Sequence, residues 1–227
     1  RDGLLRLVGV RDFVKVTVQF NTRIPERYLE GVTDGMLISS QWHPVLLGST
    51  PSTDELRLDI LIPAHFRLTF SAAEDGFLIT TNAHEQVRSS ESLRLNTTER
   101  PVKYFPLLFS PEHQQLETRS TDVHSFYRDM YTRRVGLIHA WAEEYLGFLQ
   151  EEYKLRLPWE SVKLVEVPGR SEEIRVLNNI VLVTRPHYER TEFMDRRVLG
   201  LFTMGLAKLW FGETVLHNED TQMWLSR

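Results

Sequence analysis

The chain has 227 residues, 41% hydrophobic and 26% charged, enough for one large domain or two modest ones with ordinary cores. A formal net charge of -4 offers no basic field for nucleic acid, and no apolar run approaches the roughly 20 residues of a membrane span. Cysteine is absent, which excludes disulfides, thiolate nucleophiles and cysteine zinc sites but leaves the compartment open.

The first hundred or so residues read as β. Phe13 to Phe20 and Leu56 to Ile62 alternate apolar and polar residues, the two-residue period of a strand with one buried face. Phe66 to Phe70 and Gly76 to Thr81 are shorter candidates. Turn-forming clusters at 48–52 and 73–76 separate these runs, and the spacing suggests an antiparallel sheet or sandwich.

The pattern changes after Pro106 to Pro111. Val135, Ile138, Ala142, Tyr145 and Leu149 recur at three and four residues, one face of a helix that closes before Pro158. Val162 to Val167 reads as a strand, and Val176 to Val183 as a second, more apolar and internal one. Thr191 can cap a helix that runs to Trp210 and stops at Gly212. The expected fold is α+β: an N-terminal antiparallel, sandwich-like β domain over 1–103, then an α+β unit over 104–227. No internal repeat appears.

Met204-Gly205-Leu206-Ala207-Lys208-Leu209-Trp210-Phe211-Gly212 is the most informative stretch. Residues four apart on a helix share a face, so Met204 and Lys208 point the same way. Eighteen residues then separate Lys208 from Arg227, which ends Trp224-Leu225-Ser226-Arg227. This resembles the aminopeptidase N-type, or gluzincin, family of zinc metallopeptidases. There a His-Glu-x-x-His helix continues into Trp-Phe-Gly, and a Trp-Leu-Asn-Glu segment brings the third metal ligand after the same gap. The resemblance places the two ligand histidines at Met204 and Lys208, the general base at Gly205 and the third ligand at Arg227. All four positions are substituted, while Leu206, Ala207, Trp210, Phe211, Gly212, Trp224 and Leu225 match. The family's Gly-Ala-Met-Glu-Asn strand, whose glutamate grips the substrate amine, falls on Arg175 to Asn179. That makes Asn178 and Asn179 a candidate peptide-binding strand, although two asparagines at a strand end are more often turn or edge residues. Pro158-Trp159, Val165 to Pro168, Trp42 to Leu47 and Ile62-Pro63 resemble further pieces of the same pattern.

The resemblance implies that 1–103 is the end of the family's N-terminal β domain. It implies that 104–227 is the first half of a thermolysin-like domain, truncated before its helical second half. Because the chain stops at Arg227, where that half would start, it is expected to be part of a longer protein, and Arg rather than Met at position 1 implies a processed product or an excerpt.

Ligand chemistry decides what the substitutions mean. Zinc takes histidine nitrogen, thiolate or carboxylate. Methionine offers a neutral thioether, lysine an ammonium without a lone pair, and arginine a permanent charge. No metal, cofactor or catalytic residue is therefore expected at this helix. Gly205 costs about 1 kcal/mol of helix propensity relative to alanine, which suggests room made for a close neighbour. Met204, Trp210 and Phe211 are expected in the core, and Lys208 and Arg227 in ion pairs or reaching to water.

Other constellations are weaker. His139 and Glu143, one turn apart, form a possible two-ligand metal face. His84-Glu85 opens a peptidase motif, but Arg88 stands where its second histidine belongs. His43, His65, His113, His124, His187 and His217 show no ligand spacing, and there is no phosphate loop or nucleophile elbow. The expected function is an inactive, aminopeptidase-like module that binds a peptide or protein segment in the family cleft. The alternative is a hydrolase with a displaced site using His139 and Glu143. Neither nucleic acid nor a membrane span is expected, and apolar surface at a truncated edge implies self-association or a partner.

Overall fold

The computed structural model describes residues 31–33, 36–39, 59–63, 77–80, 83–88, 92–97, 106–110, 112–119, 122–128, 132–154, 156–157, 159–189 and 196–211. The expected strands at 13–20 and 66–70, the cap at Thr191, and the segments holding Gly212 and Arg227 lie outside them. So do His43, His65 and His217.

Among the described residues, seven short strands precede residue 111: β1 (Gly31–Thr33), β2 (Met36–Ser39), β3 (Asp59–Pro63), β4 (Phe77–Thr80), β5 (Ala83–Arg88), β6 (Ser92–Thr97) and β7 (Leu107–Ser110). They form two antiparallel sheets, one ordered β1-β2-β7-β4 and the other β3-β6-β5. The four-stranded sheet thus extends to Ser110. His84, Glu85 and Arg88 lie in strand β5 and not on a helix.

From Gln114 a five-stranded mixed sheet is built, ordered β11-β12-β10-β9-β8. Its members are β8 (Gln114–Gln115), β9 (Val123–Tyr127), β10 (Val162–Val167), β11 (Ile174–Leu177) and β12 (Ile180–Thr184). Helix α1 (Thr132–Tyr153) connects β9 to its parallel neighbour β10, a connection that parallel strands require. Short α2 (Pro186–Glu189) follows β12, and α3 (Arg196–Phe211) is the last described element. The fold is α+β.

Val176 to Val183 is not one strand. It is a hairpin whose two-residue turn is Asn178-Asn179, with Asn178 at φ 54°. Asparagine enters the left-handed region more readily than other side-chain-bearing residues, so this pair can reverse the chain inside an otherwise apolar run. Helix α1 ends similarly at Lys154, φ 52°.

Alternation divides the five-stranded sheet into two apolar faces. Val123, Val162, Leu164, Val181 and Val183 join Val135, Ile138 and Leu146 of α1 and Phe202, Leu206 and Leu209 of α3 in one buried cluster. Phe126, Val165, Val167, Ile180 and Leu182 join Met36, Ile38 and Leu108 in a second. Helices therefore cover one face, and strands β2 and β7 share the core of the other. Both faces are buried, which is why β12 reads as a nearly continuous apolar run.

Candidate functional site

Helix α3 packs on β11, the edge strand of the mixed sheet. Its buried side carries Phe202, Leu206, Leu209 and Trp210, and the Trp210 indole donates to the Arg156 carbonyl at 3.1 Å. Gly205 is buried where the helix meets the strand. A Cβ there would lie 2.6 Å from Ile174 Cγ2, so the close approach requires glycine. Gly205, the residue that the resemblance sets at the general-base position, thus lets α3 sit directly on the edge strand.

Met204 is 50% exposed and Lys208 half-buried. The core placement expected for Met204 is incorrect, because it lies about 100° around the helix from buried Gly205, past the reach of the sheet. Phe211 is corrected for the same reason. Trp210 is buried, but its neighbour turns outward to 41% exposure and meets the Tyr153 ring edge-on at 6.0 Å. Met204 and Lys208 share one flank of α3, and Lys208 makes no ion pair among the described residues. A thioether beside an ammonium gives zinc no second donor there. Arg227 lies outside the described residues.

Asn178 and Asn179 occupy the hairpin turn and are each 2% exposed. Asn179 Nδ2 donates to the Ser161 carbonyl at 2.9 Å, and the Lys163 amide donates to the Asn179 carbonyl at 2.8 Å. Of the two expectations for this pair, a peptide-binding strand and a turn or edge, the structure shows the turn, buried and fastening β12 to the start of β10. Among the described residues, the unpaired edge of the sheet lies earlier, on β11. The Thr184 amide bonds the Glu173 carbonyl, and pairing alternates from there through the hairpin register. Ile174 and Val176 therefore turn their amides and carbonyls away from β12, toward the outer edge.

His139 and Glu143 contact each other, Nε2 to Oε1 at 3.4 Å, while His139 Nδ1 lies 2.9 Å from Ser125 Oγ. Ser125 is 3% and His139 4% exposed, so this Ser-His-Glu line runs beneath α1 with only Glu143 reaching the surface. Among the described residues, no three histidine or carboxylate side chains converge to hold a metal.

Sequence reasoning missed Glu166. It is fully buried at the carboxyl end of β10, where Oε2 accepts the Arg128 amide at 2.9 Å and Oε1 accepts Arg185 Nε–H at 3.2 Å. Arg128 also pairs with Glu112 at 3.1 Å. Burial raises the Tyr188 hydroxyl above its ordinary range, and the Glu166 charge adds to the rise. His113 Nε2–H donates to the Glu166 carbonyl at 2.7 Å, which leaves Nδ1 to accept from Ser110 Oγ–H at 2.6 Å. The cluster ties the ends of β9, β10 and β12 to the end of β7. The one carboxylate inside Val162-Lys163-Leu164-Val165-Glu166-Val167 was the available signal, since a carboxylate in a strand buried on both faces needs built partners.

No family model matches the chain, and no curated protein matches it in sequence.

Proposed function

We propose that this chain is a non-hydrolytic, aminopeptidase-like binding module that takes an extended peptide or protein segment along the outer edge of β11. The gluzincin resemblance supplies the ancestry, the N-terminal β domain and the half thermolysin-like domain. The observation that carries the reading is the contact of Gly205 with Ile174. It seats the former metal helix on an edge strand that offers the Ile174 and Val176 backbone, with no carboxylate at the base position. An added strand gains affinity from main-chain hydrogen bonds, so binding here requires no metal.

The test uses display selection of extended peptides against the purified chain. Val176→Pro removes one outward amide and leaves the β12 ladder intact, because proline is tolerated at an edge position whose N–H faces outward. Selected peptides should lose binding to this variant. Equal binding to the Val176→Pro chain sinks the reading.

The Ser125-His139-Glu143 line is the arrangement that the alternative of a displaced hydrolase would have to use. Its serine and histidine are enclosed by α1 and the sheet, so substrate has no path to the hydroxyl. An activity that survives His139→Ala removes that alternative.

A further inference from the structure

We propose that the segment added to β11 is acidic: a carboxylate on its helix-facing side is held by Lys208 of α3, and an apolar side chain two residues away lies against Leu201 and Met204. Such recognition rests on strand addition at β11, as proposed above, and gives that site its ligand class.

The placement follows from what α3 touches. Helix α1 covers β9 and α3 covers β11, toward opposite ends of the sheet. Gly205 meets Ile174 of β11 directly. At about 100° per residue, Phe202, Leu206 and Trp210 turn about 60°, 100° and 140° from Gly205 to one side. That side faces α1. The Phe202 ring meets Trp141 of α1 edge-on at 4.9 Å, and the Trp210 indole donates to the Arg156 carbonyl just past the end of α1. Leu201, Lys208 and Met204 turn about 40°, 60° and 100° the other way. Directed away from α1, they overlook the space beyond the edge of the sheet, where an added strand lies. Met204 is exposed there, and Leu201 and Lys208 are half-buried.

The backbone of β11 fixes which side chains of the segment meet this flank. Ile174 and Val176 direct their amides and carbonyls outward, and their side chains pack on the helical face of the sheet. Residues paired with them across a ladder carry side chains on that same face, on a strand about 4.8 Å away. Two side chains of the segment, two residues apart, thus stand beneath Leu201, Met204 and Lys208. The residue between them turns to the opposite face.

Charge then selects among segments. Lys208 makes no ion pair among the described residues. Its ammonium, on a flexible four-carbon stem, reaches a carboxylate on the neighbouring strand, whereas a basic side chain at the same place meets a like charge. Leu201 and the adaptable Met204 thioether line the rest of the flank and suit an apolar side chain.

Display selection against the whole chain tests this, with a library of extended peptides randomised at alternate positions. Peptides recovered on the wild type should carry Asp or Glu at one position and an apolar residue two away, and their affinity should fall as salt is raised. Replacing that acid by its amide, or Lys208→Gln, should each weaken binding by about fivefold, and both changes together by no more than either alone. Glutamine keeps the helix propensity of lysine, so helicity should be unchanged. Lys208→Glu should instead select Lys or Arg at the same position. Peptides that Val176→Pro abolishes but that show no acidic preference, or keep it in Lys208→Glu, overturn the charge assignment and leave strand addition standing. Peptides that bind the Val176→Pro chain equally, or a library that yields no binder, overturn both.

Discussion

Gly205 of α3 lies so close to Ile174 of β11 that a single added carbon would fall 2.6 Å from Ile174 Cγ2. The contact joins the helix that resembles a metal-binding element to the strand that ends the sheet. Helix propensity alone favours Gly205→Ala by about 1 kcal/mol, but overpacking a fixed contact costs about 1–3 kcal/mol. Ile174 is β-branched and stiff at χ1, so its methyl yields little. Gly205→Ala should lower stability by about 1 kcal/mol in chemical denaturation. In an Ile174→Ala background the same change should be neutral or stabilising. An identical cost in both backgrounds would show that the contact is not the cause.

Met204 and Lys208 should accept histidines readily, because one is exposed and the other half-buried on a shared flank. The double substitution Met204→His with Lys208→His creates an i,i+4 imidazole pair. Nickel or zinc titration by calorimetry should then show a new binding event of about micromolar strength, with two of four ligands supplied. No gain over wild type would mean that the two positions do not face a common point.

His113 carries an acid sensitivity. Burial lowers its pKa, outweighing the raising effects of the Glu166 carbonyl and charge, and the ring sits neutral between Ser110 and Glu166. The unfolded histidine titrates near 6.5, so between the folded and unfolded values the unfolded chain binds more protons. Stability therefore rises with pH through that window. It is fully present above about 6.5 and lost as pH falls toward the lower folded value. Burial shifts His187 the same way. Thermal unfolding should fall on acidification from pH 7 to 5, with a shallower slope in His113→Gln. A slope unchanged by that substitution would assign the effect elsewhere.

Glu166 should be the costliest single carboxylate to remove. It is fully buried and accepts from both Arg128 N–H and Arg185 Nε–H. Breaking a buried pair by deleting one member costs about 3–5 kcal/mol, since the remaining cation keeps its desolvation penalty. Glu166→Ala should destabilise by about that amount in urea denaturation, and Glu112→Ala, whose carboxylate is largely exposed, by less than about 1 kcal/mol. Similar losses for the two would contradict the structural importance given to burial.

Periodicity carried much of the fold. The strand at Val162–Val167 and the helix face through Val135, Ile138, Ala142 and Leu149 were legible because both elements bury regular stripes. The Asn178-Asn179 pair signalled a turn, but Val176 to Val183 was read as a single strand because both flanking strands are apolar and the pattern does not change across the pair. Met204 and Phe211 were misjudged because apolar character does not say which side of a helix meets the sheet. Glu166 was hidden because its partners Arg128 and Arg185 are distant in sequence and meet only through the parallel register of β9, β10 and β12.

The central claim is that α3 offers edge-strand packing and no metal chemistry. Zinc titration of the purified chain after chelator treatment tests it most directly, read by metal analysis alongside hydrolysis of aminoacyl substrates. The expected result is no stoichiometric zinc and no turnover. One equivalent of zinc that survives buffer exchange, is lost on Lys208→Ala and supports hydrolysis would contradict it.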